Sequence, residues 1–378
     1  MRPVIADHIL FDECISVFRP ESMPITDLDS YSGKGFLKGY ILLDFPLDKT
    51  WDFKYFKVEP TINAELPGVY SAFISPMSIP KWFDDHRNTQ LFSIAFSAIC
   101  SFATGRSIKS PRRDYSSFTS HPLEELILHF PIATSGAEAH DFLQPGKDTD
   151  REYFETINDI LDVLLHLKYE DYQMAMQSIR LIHLAHLNFR EDFGLSYYLL
   201  LSGIESVTQK AIKRKSKKHP LENEWVKIAK DNPLIEELLS AYKNERGNNK
   251  YLGERVTKFI LKYFPPKYWD DYKGKSEFME KHWNERYPSD LTESELEQML
   301  KDAYKHRSGF THEGKNPPHF TPFGYNRYFD EVTKYVLKED GSIEREEKMI
   351  LPNFKFMSFI ARNSILNYLR EKMEQIST

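Results

Sequence analysis

Apolar positions fall into two regimes along this chain. Up to about residue 150 they come in short runs broken by Gly, Pro and Asp. Residues 36–45 are rich in aromatic and aliphatic side chains and lie between Gly35 and Pro46, which predicts a strand. Residues 68–74 read the same way. Residues 88–104 predict a helix, stopped by Gly105. The most apolar run, residues 91–103, falls short of the roughly 20 residues that span a bilayer, so a buried helix is expected. Residues 124–130 form a further apolar element. The Gly-, Ser-, Asp- and Pro-rich stretch 134–150 reads as a boundary.

Beyond that stretch the period becomes helical. Ile157, Ile160, Leu161, Leu164 and Leu165 share one face of a helix over 153–167. Residues 172–189 and 195–213 continue the pattern, the second with Tyr197, Leu200, Ile204, Val207 and Ala211 in a stripe. Shorter helices are expected over 234–242 and 256–263. Another is expected over 293–306, where Thr292 and Glu295 have capping-box spacing. Asp340-Gly341 sits between two β-compatible runs and predicts a small hairpin. A helix over 356–373 follows. The expected architecture is mainly α: a mixed α+β region over 1–150, then a helical bundle over 151–378 with a β-hairpin inserted.

Composition adds limits. Hydrophobic residues make up 41% and charged residues 28% of the 378, as in globular proteins. Cys14 and Cys100 are the two cysteines, so no disulfide framework is implied and a reducing, cytoplasmic setting is expected. The first 18 residues carry Asp7, Asp12 and Glu13, unlike a secretory signal, and no membrane partner is expected. A net charge of -6 argues against a general nucleic-acid coat but leaves room for a local basic cleft. Two runs offer one: Arg106, Lys109, Arg112 and Arg113, and the denser Lys210, Lys213, Arg214, Lys215, Lys217 and Lys218. Taken alone, each reads first as a solvated loop or helix end.

Few patterns carry chemistry. Ser32-Gly33-Lys34-Gly35 lacks the spacing of a phosphate loop, and there is no HExxH or Cys-rich metal set. No metal or cofactor is expected. His183 and His186 share a helix face but read as ordinary helix histidines. What remains is an Arg followed five positions later by a His: Arg307 and His312. Arg214 with His219 repeats that spacing in a charged stretch, and Arg180 with His186 is a looser match. In an unbroken helix Arg307 and His312 would lie about 140° apart. Gly309 between them can let the chain leave helical geometry and bring both to one cleft. The bland alternatives are that Arg307 pairs with Glu313 or caps a helix ending near His306, and that His312 closes a turn before Gly314.

The segment from Tyr304 to Gly314, YKHRSGFTHEG, resembles the signature of the HEPN superfamily in its Apea-like branch: Arg, four to six residues, His, with Gly close behind. The earlier helix around Leu199-Leu200-Leu201-Ser202-Gly203-Ile204-Glu205 fits the same branch. The resemblance covers roughly residues 170–375. It implies a small helical bundle, a homodimer with a composite cleft, and metal-independent cleavage of RNA in a toxin or defence role. Carried over, Arg307 and His312 are the catalytic pair and Glu205 a supporting residue. The Lys210–Lys218 run would hold RNA phosphates. Ser308 stands where many active members carry Asn, Asp or His. That departure favours the second reading, an inactive RNA- or nucleotide-binding and dimerisation module.

Overall fold

The apolar run 91–103 forms the helix around which the N-terminal half is assembled. The computed structural model describes residues 7–23, 34–66, 69–83, 90–111, 147–214, 218–248, 251–272, 286–319, 326–338 and 342–377. The N-terminal elements are α1 (Asp7–Phe18), β1 (Lys34–Leu43), β2 (Trp51–Asp52), β3 (Lys57–Val58), β4 (Ile62–Leu66), β5 (Val69–Pro80) and α2 (Gln90–Thr104). The strands form an antiparallel sheet in the order β1-β5-β3-β2, with β4 also on β5. Helix α2 packs on β1 and α1, and is buried along nearly its whole length. It ends where Gly105 takes a left-handed φ of 68°, a conformation costly for a residue with a Cβ. The segments 124–130 and 134–146 lie outside the described residues.

The helical half is α3 (Lys147–His166), α4 (Tyr169–Asn188), α5 (Phe193–Ala211), α6 (Glu222–Ala229), α7 (Pro233–Asn248), α8 (Leu252–Tyr263), α9 (Glu293–Glu313) and α10 (Phe354–Ser377). The inserted hairpin is β6 (Phe329–Leu337) with β7 (Ile343–Pro352). The chain is thus mainly helical, with a small antiparallel sheet in its N-terminal region. No described helix is long and apolar enough to cross a membrane.

One hydrophobic core runs from Phe11 to Leu369 and joins the two halves, because α2 also packs on α3 and α4. Polar ties reinforce the joint. Buried Arg19, just after α1, donates to Leu164 O (3.3 Å) and Leu167 O (2.6 Å) at the end of α3. Its cation therefore meets the negative end of that helix. His183 Nε2 donates to Ile108 O (2.7 Å), and His186 Nε2 lies 3.0 Å from Ser358 Oγ on α10. Both histidines are buried; the His183 ring bridges the halves, while the His186 ring ties α4 to α10 and its backbone O accepts from Ser107 Oγ at 2.7 Å across the joint.

Within the first basic run Arg106 is not solvated: its side chain is only 11% exposed and donates from Nε to Asp44 Oδ1 at 2.7 Å, with its guanidinium over the Phe45 ring. The partner comes from 62 residues earlier, beyond the reach of local pattern. Arg112 and Arg113 lie outside the described residues.

Candidate functional site

Helix α9 begins as its sequence foretells. Thr292 Oγ1 accepts from the Glu295 backbone and Glu295 reaches back to Thr292 N, closing the capping box. Its end differs from expectation. The helix runs unbroken past His306 and Gly309 to Glu313, and stops at Gly314, which has a φ of 65°. The Gly314 N–H donates to Phe310 O, so the left-handed turn sits five residues later than Gly309.

That regular helix separates the Arg and the His. Arg307 continues the buried stripe of Leu296, Leu300 and Ala303, and so faces α5. His312 is turned about 140° from it and about 7.5 Å along the axis, and it is exposed. Gly309 does not bend the chain to unite them. A Cβ placed on Gly309 would meet nothing within 4 Å. Gly309→Ala is therefore expected to raise stability by about 0.5–1 kcal/mol through helix propensity alone. Equilibrium unfolding checks this; a destabilised variant would contradict an unbroken helix here.

Arg307 has acquired a different partner. Its Nη2 lies 3.1 Å from Glu205 Oε2, and the two side chains are only 15% and 10% exposed. The same Glu205 oxygen accepts from the Tyr304 hydroxyl at 2.8 Å. Burial, then the hydrogen bond and the charge of Glu205, push the Tyr304 phenol well up, so it stays a donor. The Arg307 guanidinium also lies over two rings, 5.2 Å from the Tyr198 centroid and 5.7 Å from that of Tyr304. Tyr198 in turn stacks on Phe310 at 5.4 Å. The Arg307 Nε is buried without a hydrogen-bond partner among the described residues.

Close helix packing makes this contact. At Gly203 a Cβ would stand 2.7 Å from Ile182 Cγ1, so glycine lets α5 seat tightly on α4. That fixes α5, whose Tyr198 and Glu205 then face α9. The structure therefore brings together Glu205 and Arg307 and adds Tyr198, Tyr304 and Phe310, which the sequence reading did not single out. Spacing held one clue: Tyr304, Arg307 and Phe310 recur every third position on one helix side.

A search of protein-family models, curated proteins and solved structures finds no significant match to this chain.

The remaining sequence candidates sit elsewhere. Glu313 pairs with Lys315, not with Arg307. Arg180 lies over the Phe11 ring, which explains its place on α4. Lys210, Lys213, Arg214 and Lys218 are exposed at and beyond the end of α5, while Lys215 and Lys217 lie outside the described residues. His219, five after Arg214, stacks on Trp225. Among the described residues no group of three metal-binding side chains gathers.

Proposed function

We propose that the chain is an HEPN-type endoribonuclease that cuts RNA without a metal ion, with Arg307 and His312 as its reacting pair. The observation that carries this reading is the Glu205–Arg307 bridge between α5 and α9, with His312 exposed on the last turn of α9. The residue pattern of the resemblance asks for a supporting acid on the earlier helix and an Arg and His on the later one.

The chemistry would use the 2′-OH of the substrate. A base removes its proton, O2′ bonds to phosphorus, and the P–O5′ bond breaks as O5′ takes a proton from an acid. An imidazole serves either role near neutral pH. One imidazole cannot stand on both sides of an in-line displacement, so His312 from each of two copies would divide the work. Arg307 would balance charge on the phosphoryl oxygens. Glu205 and the two tyrosine rings would fix its orientation.

A specific observation favours the second reading, an inactive RNA-binding and dimerisation module. Within one chain Arg307 and His312 face different sides of α9, and Glu205 already neutralises the guanidinium. Product chemistry separates the two. A defined RNA incubated with EDTA should yield 2′,3′-cyclic phosphate and 5′-OH ends, and 2′-deoxy substitution at the cut should abolish it. Products with 5′-phosphate ends would remove the mechanism.

A further inference from the structure

Helices α6 and α7 form an arm that packs mainly on itself. Ala229 and Leu239 are buried between them but do not join the core that holds the rest of the chain. The arm leaves the body after α5 and returns through α8. Its root is clamped by Arg255, which donates to Gln209 O (2.7 Å) and Ile212 O (2.9 Å). At Gly253 a Cβ would stand 2.8 Å from Tyr304, so the root lies beside the Arg307 cluster.

Positive charge is concentrated at the root of this arm: Lys210, Lys213, Arg214 and Lys218 are exposed there, and Lys227 and Lys230 follow on α6 against Glu222 and Glu224, whereas α7 carries Glu236, Glu237 and Glu245. On α6, Glu222, Trp225 and Ala229 share the packing side, while Lys227 lies roughly opposite and Lys230, at the C-cap, about a quarter-turn away; both lysines are exposed. At the root of the arm, next to Lys218 in the chain, is a flat aromatic surface. The exposed His219 ring stacks on Trp225 at 4.3 Å and 17°, and Tyr242 meets Trp225 edge-on at 5.3 Å. The pair is held in place. His219 N–H donates to the Tyr242 hydroxyl (3.0 Å), and Leu221 N–H donates to His219 Nδ1 (3.1 Å). With Nδ1 accepting, the neutral ring carries its proton on Nε2, a donor facing outward.

We propose that this arm binds single-stranded nucleic acid. The lysines of its root and of α6 take the phosphates, and the His219–Trp225 stack takes an unpaired base. A cationic track beside a stacking platform is what an unpaired strand recognises, and a duplex keeps its bases stacked away from such a platform. The binding stands by itself; that it delivers a strand to Arg307 rests on the ribonuclease reading. Leu234 and Leu238 are exposed on α7 and offer a protein contact as the rival use of the arm.

The test is fluorescence anisotropy of the full chain with labelled 15-nucleotide oligouridine, oligothymidine and a duplex of equal length, over a salt series. Both single strands should bind more tightly than the duplex, with affinity falling steeply as salt rises. The triple variant Lys213→Glu/Lys218→Glu/Lys227→Glu should weaken binding at least tenfold. His219→Ala should weaken it about tenfold and flatten the difference between single strand and duplex. Oligothymidine cannot be cut through a 2′-OH, so its binding is read whether or not the chain is a nuclease. Tighter binding of oligouridine would assign RNA as the natural strand, and equal binding would assign the shared phosphate-and-base chemistry. Binding that favours the duplex, or that is unchanged in the triple variant and in His219→Ala, overturns the proposal. So does absent strand binding together with a concentration-dependent dimer lost in Leu234→Lys/Leu238→Lys.

Discussion

Glu205→Ala is expected to lower the unfolding free energy by about 3 kcal/mol, the cost of leaving a buried partner charge uncompensated. Both side chains are largely enclosed, so water cannot replace the lost carboxylate well. Tyr304 loses its acceptor in the same step. Glu205→Gln keeps the shape and one acceptor oxygen and should cost about 1–2 kcal/mol. Removing Arg307 as well should recover part of the loss, because no cation is then stranded; a coupling of about 1–3 kcal/mol is expected from the double-mutant cycle. Urea unfolding at unchanged m-value measures all three. A loss below about 0.5 kcal/mol for Glu205→Ala, the size of an exposed ion pair, would mean that the bridge does not hold α5 to α9.

Acid should loosen the joint between the halves. Burial is the largest cause that depresses His183 to about 4 and His186 to about 3, helped by Arg180 and Lys109 near the first and by His183 and Arg362 near the second. In the unfolded chain both imidazoles take up protons as pH falls through about 6.5, while the folded chain keeps them off. Their effect is therefore absent above about pH 6.5 and becomes a loss of stability below it. Each imidazole contributes a slope of about 1.4 kcal/mol per pH unit between about 6.5 and its folded value. Urea midpoints taken from pH 7 to pH 4.5 should fall accordingly, and His186→Gln should shallow the slope by nearly half. A flat profile would contradict neutral, buried imidazoles at this joint.

Much of the helical half was legible because its stripes are long and regular. The apolar period over 153–167 and 195–213 reports α3 and α5, and the Thr292/Glu295 capping box marks the start of α9. Strand β1 and helix α2 were legible from short-range signals, including the Gly105 stop. What escaped depends on distance. Gly309 read as a breaker, yet packing of Arg307 and Phe310 on α5 carries the helix through it to Gly314. Arg106 looked solvated because Asp44 is remote in sequence. Of the arm, the helix expected over 234–242 reports α7, while α6 escapes because it spans only eight residues. In the candidate site, Glu205, Arg307 and His312 were readable from their pattern, but the ring set of Tyr198, Tyr304 and Phe310 needed the crossing of α5 and α9.

The central claim is that Arg307 and His312 act together on RNA. The most direct measurement is digestion of total RNA by purified protein in EDTA, comparing the parent chain with Arg307→Ala and His312→Ala, each checked for folding. Cleavage by the parent is expected, with a fall of at least about 100-fold in both variants. His312 is exposed, so its variant should lose activity without losing stability. Cleavage that persists at the parent rate in His312→Ala, or that needs added metal, would contradict the account.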